Sequence, residues 1–360
     1  MHIPDGYLAP QTTIPVLAGM VPVWGAALHK VKKKLSEKQI PTLALCAAFS
    51  FVIMMFNVPV AGGSSAHAVG AVFIAILLGP WAAAVSVSAA LLIQALVFGD
   101  GGVMAFGVNC LNMAVVMPFA GYALYRLIAG KSKLGSSRNL AGAFVGSYAG
   151  LNLAAFCAAV EFGVQPLLFR AADGSALYCP YPLSVSIPSM MFAHLAVAGP
   201  IEAVVTAAAV AYIAKSAPRL FPQAPAPASP AGRSPSGSFF KRYRALLIPL
   251  AVLAVLTPLG LIATGTAWGE WGAEEIKDAV GYIPKGLAGM ADRWNALMPD
   301  YSLPALGGSR AGSVSGYILS AVVGILLIAA LVTALSLLVV KIQRRGAKSA
   351  QDTDGKPDER

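Results

Sequence analysis

At 360 residues, 57% apolar and only 12% charged, with a mean hydropathy of +0.70, the chain is excluded from the soluble globular proteins and belongs with polytopic membrane proteins. A formal net charge of +10 would suit a nucleic-acid binder, but the basic residues cluster beside apolar spans, which argues for orientation in a bilayer and against a nucleic-acid partner. The four cysteines, Cys46, Cys110, Cys157 and Cys179, contain no CxxC pair, which excludes a zinc ribbon and a thioredoxin-like motif.

The chain begins MHIPDGYL. The Met1 amine, the His2 amide nitrogen and the His2 imidazole nitrogen nearer the backbone chelate one cation in fused five- and six-membered rings, by covalent connectivity alone. A fourth nitrogen completes a square plane, the geometry of Ni(II) or Cu(II) rather than of tetrahedral Zn(II). His67, one of only four histidines, is the candidate fourth ligand. Pro4, Asp5 and Gly6 carry turn chemistry, so the terminus is expected to fold back. With no basic n-region, and with prolines at 4, 10 and 15, the stretch is read as a retained helix rather than a signal peptide. His2 is too large a second residue for removal of the initiator methionine.

Spans are predicted at residues 12–28 and 42–56, a short third after His67 that turns at Gly79-Pro80-Trp81, a fourth ending at Phe98, and others at 103–128, 139–160 and 187–214. An external loop is placed from Glu161 to residue 183. Residues 216–240, rich in Pro, Ala and Ser, form a linker. A second module, 241–345, adds spans at 246–263 and 316–340 around an external loop at 264–313, and residues 346–360 form a polar tail. The fold class is all-α, with seven spans in a metal-capture domain (1–215) and two in the second module. Segments 30–40, 126–138, 215–244 and 341–360 hold 5, 4, 6 and 6 lysines and arginines, 21 of the 26. They are therefore cytoplasmic, which puts Met1, His67 and the GDGG turn at 99–102 outside and the C-terminus inside.

MHIPDGYL at the start, NVPVAGGSSAHAVGA from Asn57, FGVNCLNMAVVMPFAGY from Phe106, EFGVQP from Glu161 and HLAVAGPIEAVVTAAAVAY from His194 together resemble the CbiM/NikM family. These are substrate-capture components of energy-coupling-factor transporters for cobalt and nickel. The second module resembles the NikN/PDGLE partner, although it reads Pro258-Leu259-Gly260-Leu261, a departure associated with the nickel branch. The resemblance implies the same ligands, Met1, His2 and His67. It also implies a transmembrane coupling subunit and a cytoplasmic ATPase as partners, in the inner (plasma) membrane. The ion is substrate, Ni(II) or Co(II), and no cofactor is expected.

Other polar residues carry two readings each. Asp5, Ser64 and Ser65 are candidates to orient the imidazoles, with a simple Asx-turn as the plain alternative for Asp5. Asn57 and Asn109 either brace the N-terminal loop or serve helix capping and packing. His194 suits a hydrogen-bonded structural role better than a ligand, and His29 faces the cytoplasm. Glu202 is either functional or paired with a basic group. Trp268, Glu270, Trp271, Glu274 and Glu275 read as a metal-delivery surface or, more simply, as interfacial aromatics with a solvated acidic face. Gly130-Lys131-Ser132 lacks the first P-loop glycine, which is Tyr125, so this chain is no ATPase. A stand-alone secondary transporter is the rival reading. A membrane-embedded enzyme finds no HExxH, GxSxG or paired-carboxylate motif.

Overall fold

The computed structural model describes the chain except for residues 35–38, 61–64, 222–237, 263–268, 292, 307–308 and 355–360. The body of the expected linker, Ser64 and Trp268 lie outside the described residues. The rest is an all-α polytopic membrane protein. Seven helices are long and apolar enough to cross a bilayer, beginning with α1 (Pro10–Lys34). A shorter apolar helix, α2 (Ile40–Met54), follows. Pro80 opens α4 (Pro80–Ile93), where its fixed φ and missing N–H cost nothing, and a π-helical turn extends it through Phe98.

The third predicted span is a helix of only eight residues, α3 (Ala71–Leu78), and every residue in it is buried. Eight residues rise about 12 Å, far short of a hydrocarbon core of about 30 Å. Extended backbone before α3 makes up the distance. Val58–Pro59 and Ser65–Ala66 pair antiparallel as β1 and β2, with Val58 opposite Ala66, and His67 follows immediately. Non-helical backbone at such depth persists only where protein satisfies it. Here the Glu202 carboxylate accepts the Val69 and Gly70 N–H groups at 2.8 and 3.0 Å, and the Thr206 hydroxyl donates to its other oxygen. Glu202 therefore caps the positive end of α3. Of the two readings of Glu202, pairing with a basic group is not what is seen: its partners are backbone N–H groups and Thr206.

The fifth span comprises α5 (Phe106–Asn109), a π-helical stretch and α6 (Met117–Ala129). It packs along α7 (Ser137–Leu168), capped by Ser136, whose hydroxyl accepts the Asn139 N–H. The two backbones meet at Gly121 and Gly146, where a Cβ on Gly146 would come within 2.5 Å of the Gly121 carbonyl, so only glycine permits the crossing. Glu161 lies inside α7 rather than opening a loop, and its carboxylate takes the Asn112 amide at 2.6 Å. The seventh span joins α8 (Leu183–Ala193) through a π-helical turn at His194–Ala198 to α9 (Gly199–Ser216).

In the second module α10 (Phe239–Leu256) and α13 (Arg310–Asp354) pack beside α2, and α13 runs on into the polar tail. Between them the chain forms α11 (Ala273–Val280) and α12 (Lys285–Ala291), which lie over the N-terminus.

Candidate metal centre

The first nine residues fill the mouth of the bundle. Met1, Ile3, Tyr7, Leu8 and Ala9 are each at most 2% exposed, the opposite of a frayed end. Burying each large apolar side chain among them contributes roughly 1.5–3 kcal/mol. Backbone polarity is met in full at Ile3: its N–H donates to Asn109 Oδ1 at 2.9 Å, and its carbonyl accepts from Asn109 Nδ2 and the Gly102 N–H. Asn109 therefore braces the terminal loop. Asp5 accepts the N–H groups of Val103, Met104 and Ala105 at 2.8–3.2 Å, gathering the turn that leads into α5. Burial raises its carboxyl above the ordinary value, and those three donors oppose the rise. Further along, Tyr7 O accepts the Cys179 N–H, and the Ala9 N–H donates to Gln165 Oε1.

The fold-back delivers the Met1 amine to the His67 loop. The amine lies 3.4 Å from His67 Nε2 and donates to the Ser65 carbonyl at 3.3 Å. His67 Nδ1 bonds the Ala68 carbonyl at 3.1 Å, which fixes Nδ1 as the protonated nitrogen and leaves the Nε2 lone pair toward the amine. The His2 and His67 rings stack with centroids 4.6 Å apart. His2 Nδ1 is held by Asp100 Oδ1 at 2.6 Å, and His2 Nε2 has no partner among the described residues.

Electrostatics favour neutral donors. Burial lowers the amine below its ordinary 8.0 against the opposing pull of Glu270 and Asp100. Burial, then the amine and His2, push His67 well below 6.5. For Asp100 burial acts upward, but His2, Tyr301 and the amine together hold its carboxyl below the ordinary value. Two lone-pair nitrogens, an anion and a second imidazole thus share one buried site. Among the described residues no cluster of three or more His, Cys, Asp and Glu side chains suits a metal, whereas the fused chelate expected from the sequence would draw on main-chain nitrogen. In that chelate the amide is the middle donor, so a fourth ligand in the plane sits beside the amine. His67 Nε2 occupies that side.

A family model described as the cobalt uptake substrate-specific transmembrane region, CbiM, matches residues 2–220. The chain belongs to the CbiM family. A PDGLE domain model matches residues 244–341. The fused nickel transport protein NikMN of Rhodobacter capsulatus is 48% identical, over 92% of this chain and 95% of that protein. The probable fused nickel transport protein LarMN of Lactiplantibacillus plantarum is 42% identical over 93% and 97%. A crystal structure of a truncated transition metal transporter is 51% identical, covering 60% of this chain and 99% of that one, with a TM-score of 0.57. This CbiM-family chain is accordingly a multi-pass transition-metal transport protein.

Of the residues singled out in sequence, Met1, His2, His67, Asp5 and Asn109 come together. Ser65 contributes twice, its carbonyl to the amine and its hydroxyl to Glu270. Asn57 also donates to Glu270, at 3.2 Å, so this exposed carboxylate is tied to the site loop. Glu274 and Glu275 do stay exposed, one paired with Lys277 and the other capping α11. Trp271 is partly buried, and its carbonyl takes the Tyr7 hydroxyl at 2.8 Å. His194 bonds its own helix through Nδ1 to the Met190 carbonyl, as a structural histidine does, while His29 is exposed. Asp100 was not singled out. Its signal was an acidic residue among glycines at an external span end in a chain poor in charge.

Proposed function

We propose that this chain is the substrate-capture subunit of an energy-coupling-factor transporter, taking up Ni(II), and less readily Co(II), from the external face. Residues 1–215 form the capture domain, and 241–345 a NikN-like module joined to it by the 216–240 linker. The carrying observation is the buried approach of the Met1 amine to His67 Nε2 beside the stacked His2 ring. The amine, the His2 amide and imidazole, and His67 Nε2 are the four ligands. Binding brings His2 Nδ1 from Asp100 to the ion by a half-turn of the ring, and displaces the amide proton.

The nickel relatives support the choice of ion, as does a donor set of nitrogens that suits square-planar late metals. The distribution of lysines and arginines supports an outside N-terminus and an inside C-terminus. A transmembrane coupling subunit and a cytoplasmic ATPase supply the energy that drives release inward. The docked terminus then acts as a plug that closes the external mouth over the ion.

Calorimetric titration of the purified full chain with Ni(II) tests the reading. One ion per chain is expected, with binding lost in His2→Ala and His67→Ala; undiminished affinity in either variant refutes the ligand assignment. Metal uptake into vesicles should need the coupling subunit and ATP-loaded ATPase together with this chain. Uptake by this chain alone, driven by a proton gradient, would favour a stand-alone secondary transporter.

A further inference from the structure

The second module reaches the carboxylate behind His2 through the Tyr301 side chain. Tyr301 donates its hydroxyl to Asp100 Oδ2, the carboxylate oxygen not used by His2. Gln94 Nε2 bonds both Asp100 Oδ2, at 3.1 Å, and the Tyr301 hydroxyl, at 2.9 Å, which closes a three-membered polar network behind His2. Nothing covalently local puts the phenol there, since Tyr301 is 201 residues from Asp100 in sequence. Several features fix it instead. Its ring stacks on Phe98 at 5.0 Å and meets Phe51 and Tyr317 edge-on. Its carbonyl accepts the Ser320 hydroxyl of α13 at 2.8 Å. The Met298 N–H pins the segment to Val97 O at 2.8 Å, next to the turn that carries Asp100.

The backbone pays for this placement. Asp300 and Tyr301 have φ of +50° and +58°, and they are the only residues other than glycine with positive φ among those described. Such conformations are strained and persist where surrounding structure over-determines them.

We propose that Tyr301 is a positioning residue of the metal site, contributed by the fused module: it fixes Asp100, and Asp100 in turn fixes the His2 imidazole. This rests on the ligand set proposed above. The carboxylate holds His2 Nδ1, the atom the chelate needs, and His2 Nε2 has no partner among the described residues. When the ring turns to give Nδ1 to the ion, Nε2–H swings toward the same carboxylate. One carboxylate thereby tethers the ligand before loading and orients it afterwards, as carboxylates behind metal-bound histidines do. With its second oxygen taken by Tyr301 and Gln94, Asp100 is held in place for the exchange. The fused module is thus part of the site's construction, and a capture domain without it has an unbraced Asp100.

The test uses the full chain. Ni(II) affinity and the visible absorption band of the four-nitrogen Ni(II) site are measured for Tyr301→Phe, Asp100→Asn and the double variant. Tyr301→Phe should keep the band and bind about 10-fold more weakly, and Asp100→Asn up to about 100-fold more weakly. The double variant should match Asp100→Asn alone, because Tyr301 acts through Asp100. A packing role would instead weaken binding by the same factor in both backgrounds, and that result, or a Tyr301→Phe affinity within twofold of the parent, overturns the inference. If Tyr301→Phe melts early, Gln94→Leu, which removes the other donor to Asp100, answers the same question through the same cycle. His67→Ala is the control: full affinity there refutes the ligand set, whereas lost affinity with a silent Tyr301→Phe refutes only the role of Tyr301.

Discussion

Adding one alanine before Met1 leaves every side chain intact and should nearly abolish metal binding. The present amine becomes a peptide nitrogen, so the five-membered ring loses its terminal donor. The new amine lies one residue further on, up to about 3.5 Å away. That space is occupied: the amine already sits within 3.3–3.4 Å of Ser65 O and His67 Nε2, and Met1 is 2% exposed. Residues that merely support a metal ligand are worth 10–100-fold in affinity. Loss of a ligand should exceed the top of that range, a weakening of more than about 100-fold or about 2.7 kcal/mol. Competition of the purified chain with a chelator of known affinity measures it, and intact mass verifies that Met1 and the added residue are retained. An extended chain that binds within threefold of the parent would show that the amine is not a ligand.

The proton count of loading follows from the same atoms. Burial holds the amine and His67 below 8.0 and 6.5, so above about pH 9 both are free bases and the His2 amide supplies about one proton per ion; calorimetry there in buffers of different ionisation enthalpy should return one, and two or more would contradict it. Because the docked plug resists protonating these two groups, its docking is fully stable above their ordinary values and loosens as pH falls toward their lower docked values, seen as faster hydrogen exchange over residues 1–9 in acid. Asp5→Ala removes the acceptor of three N–H groups and should destabilise docking by about 1–2 kcal/mol, with protection lost in residues 1–9 and 103–106 but not in α7. Glu202→Gln should lower thermal stability by about 1–2 kcal/mol and loosen residues 67–72, while metal stoichiometry stays at one; an unchanged melt would deny its capping role.

The spans and the candidate chelate could be read because both are local. Apolar runs, basic segments and the connectivity of an amine beside a histidine need no knowledge of partners. The length of α3 was less so. Its apolar run continues from Ala66 through the Gly79 turn, and hydropathy cannot tell a crossing helix from one that starts halfway down and is completed by extended chain. What decides it is Glu202, 132 residues from Gly70, and no periodicity links the two. A carboxylate after an apolar run reads as the start of a loop at Glu161, yet Asn112 satisfies it and α7 continues to Leu168. The lid formed by α11 and α12 was equally hidden. Its polar, Gly-rich sequence resembles a solvated loop, and only contact reveals why Gly6, at φ +88°, must lack a Cβ that would lie 2.7 Å from the Leu287 carbonyl.

Nickel K-edge X-ray absorption of the loaded, full-length chain reads the atoms around the ion directly. Four nitrogen neighbours in a square plane are expected, two of them with the outer-shell scattering of imidazole, and no sulfur. A six-coordinate, oxygen-rich shell, or a single imidazole, would contradict the ligand assignment.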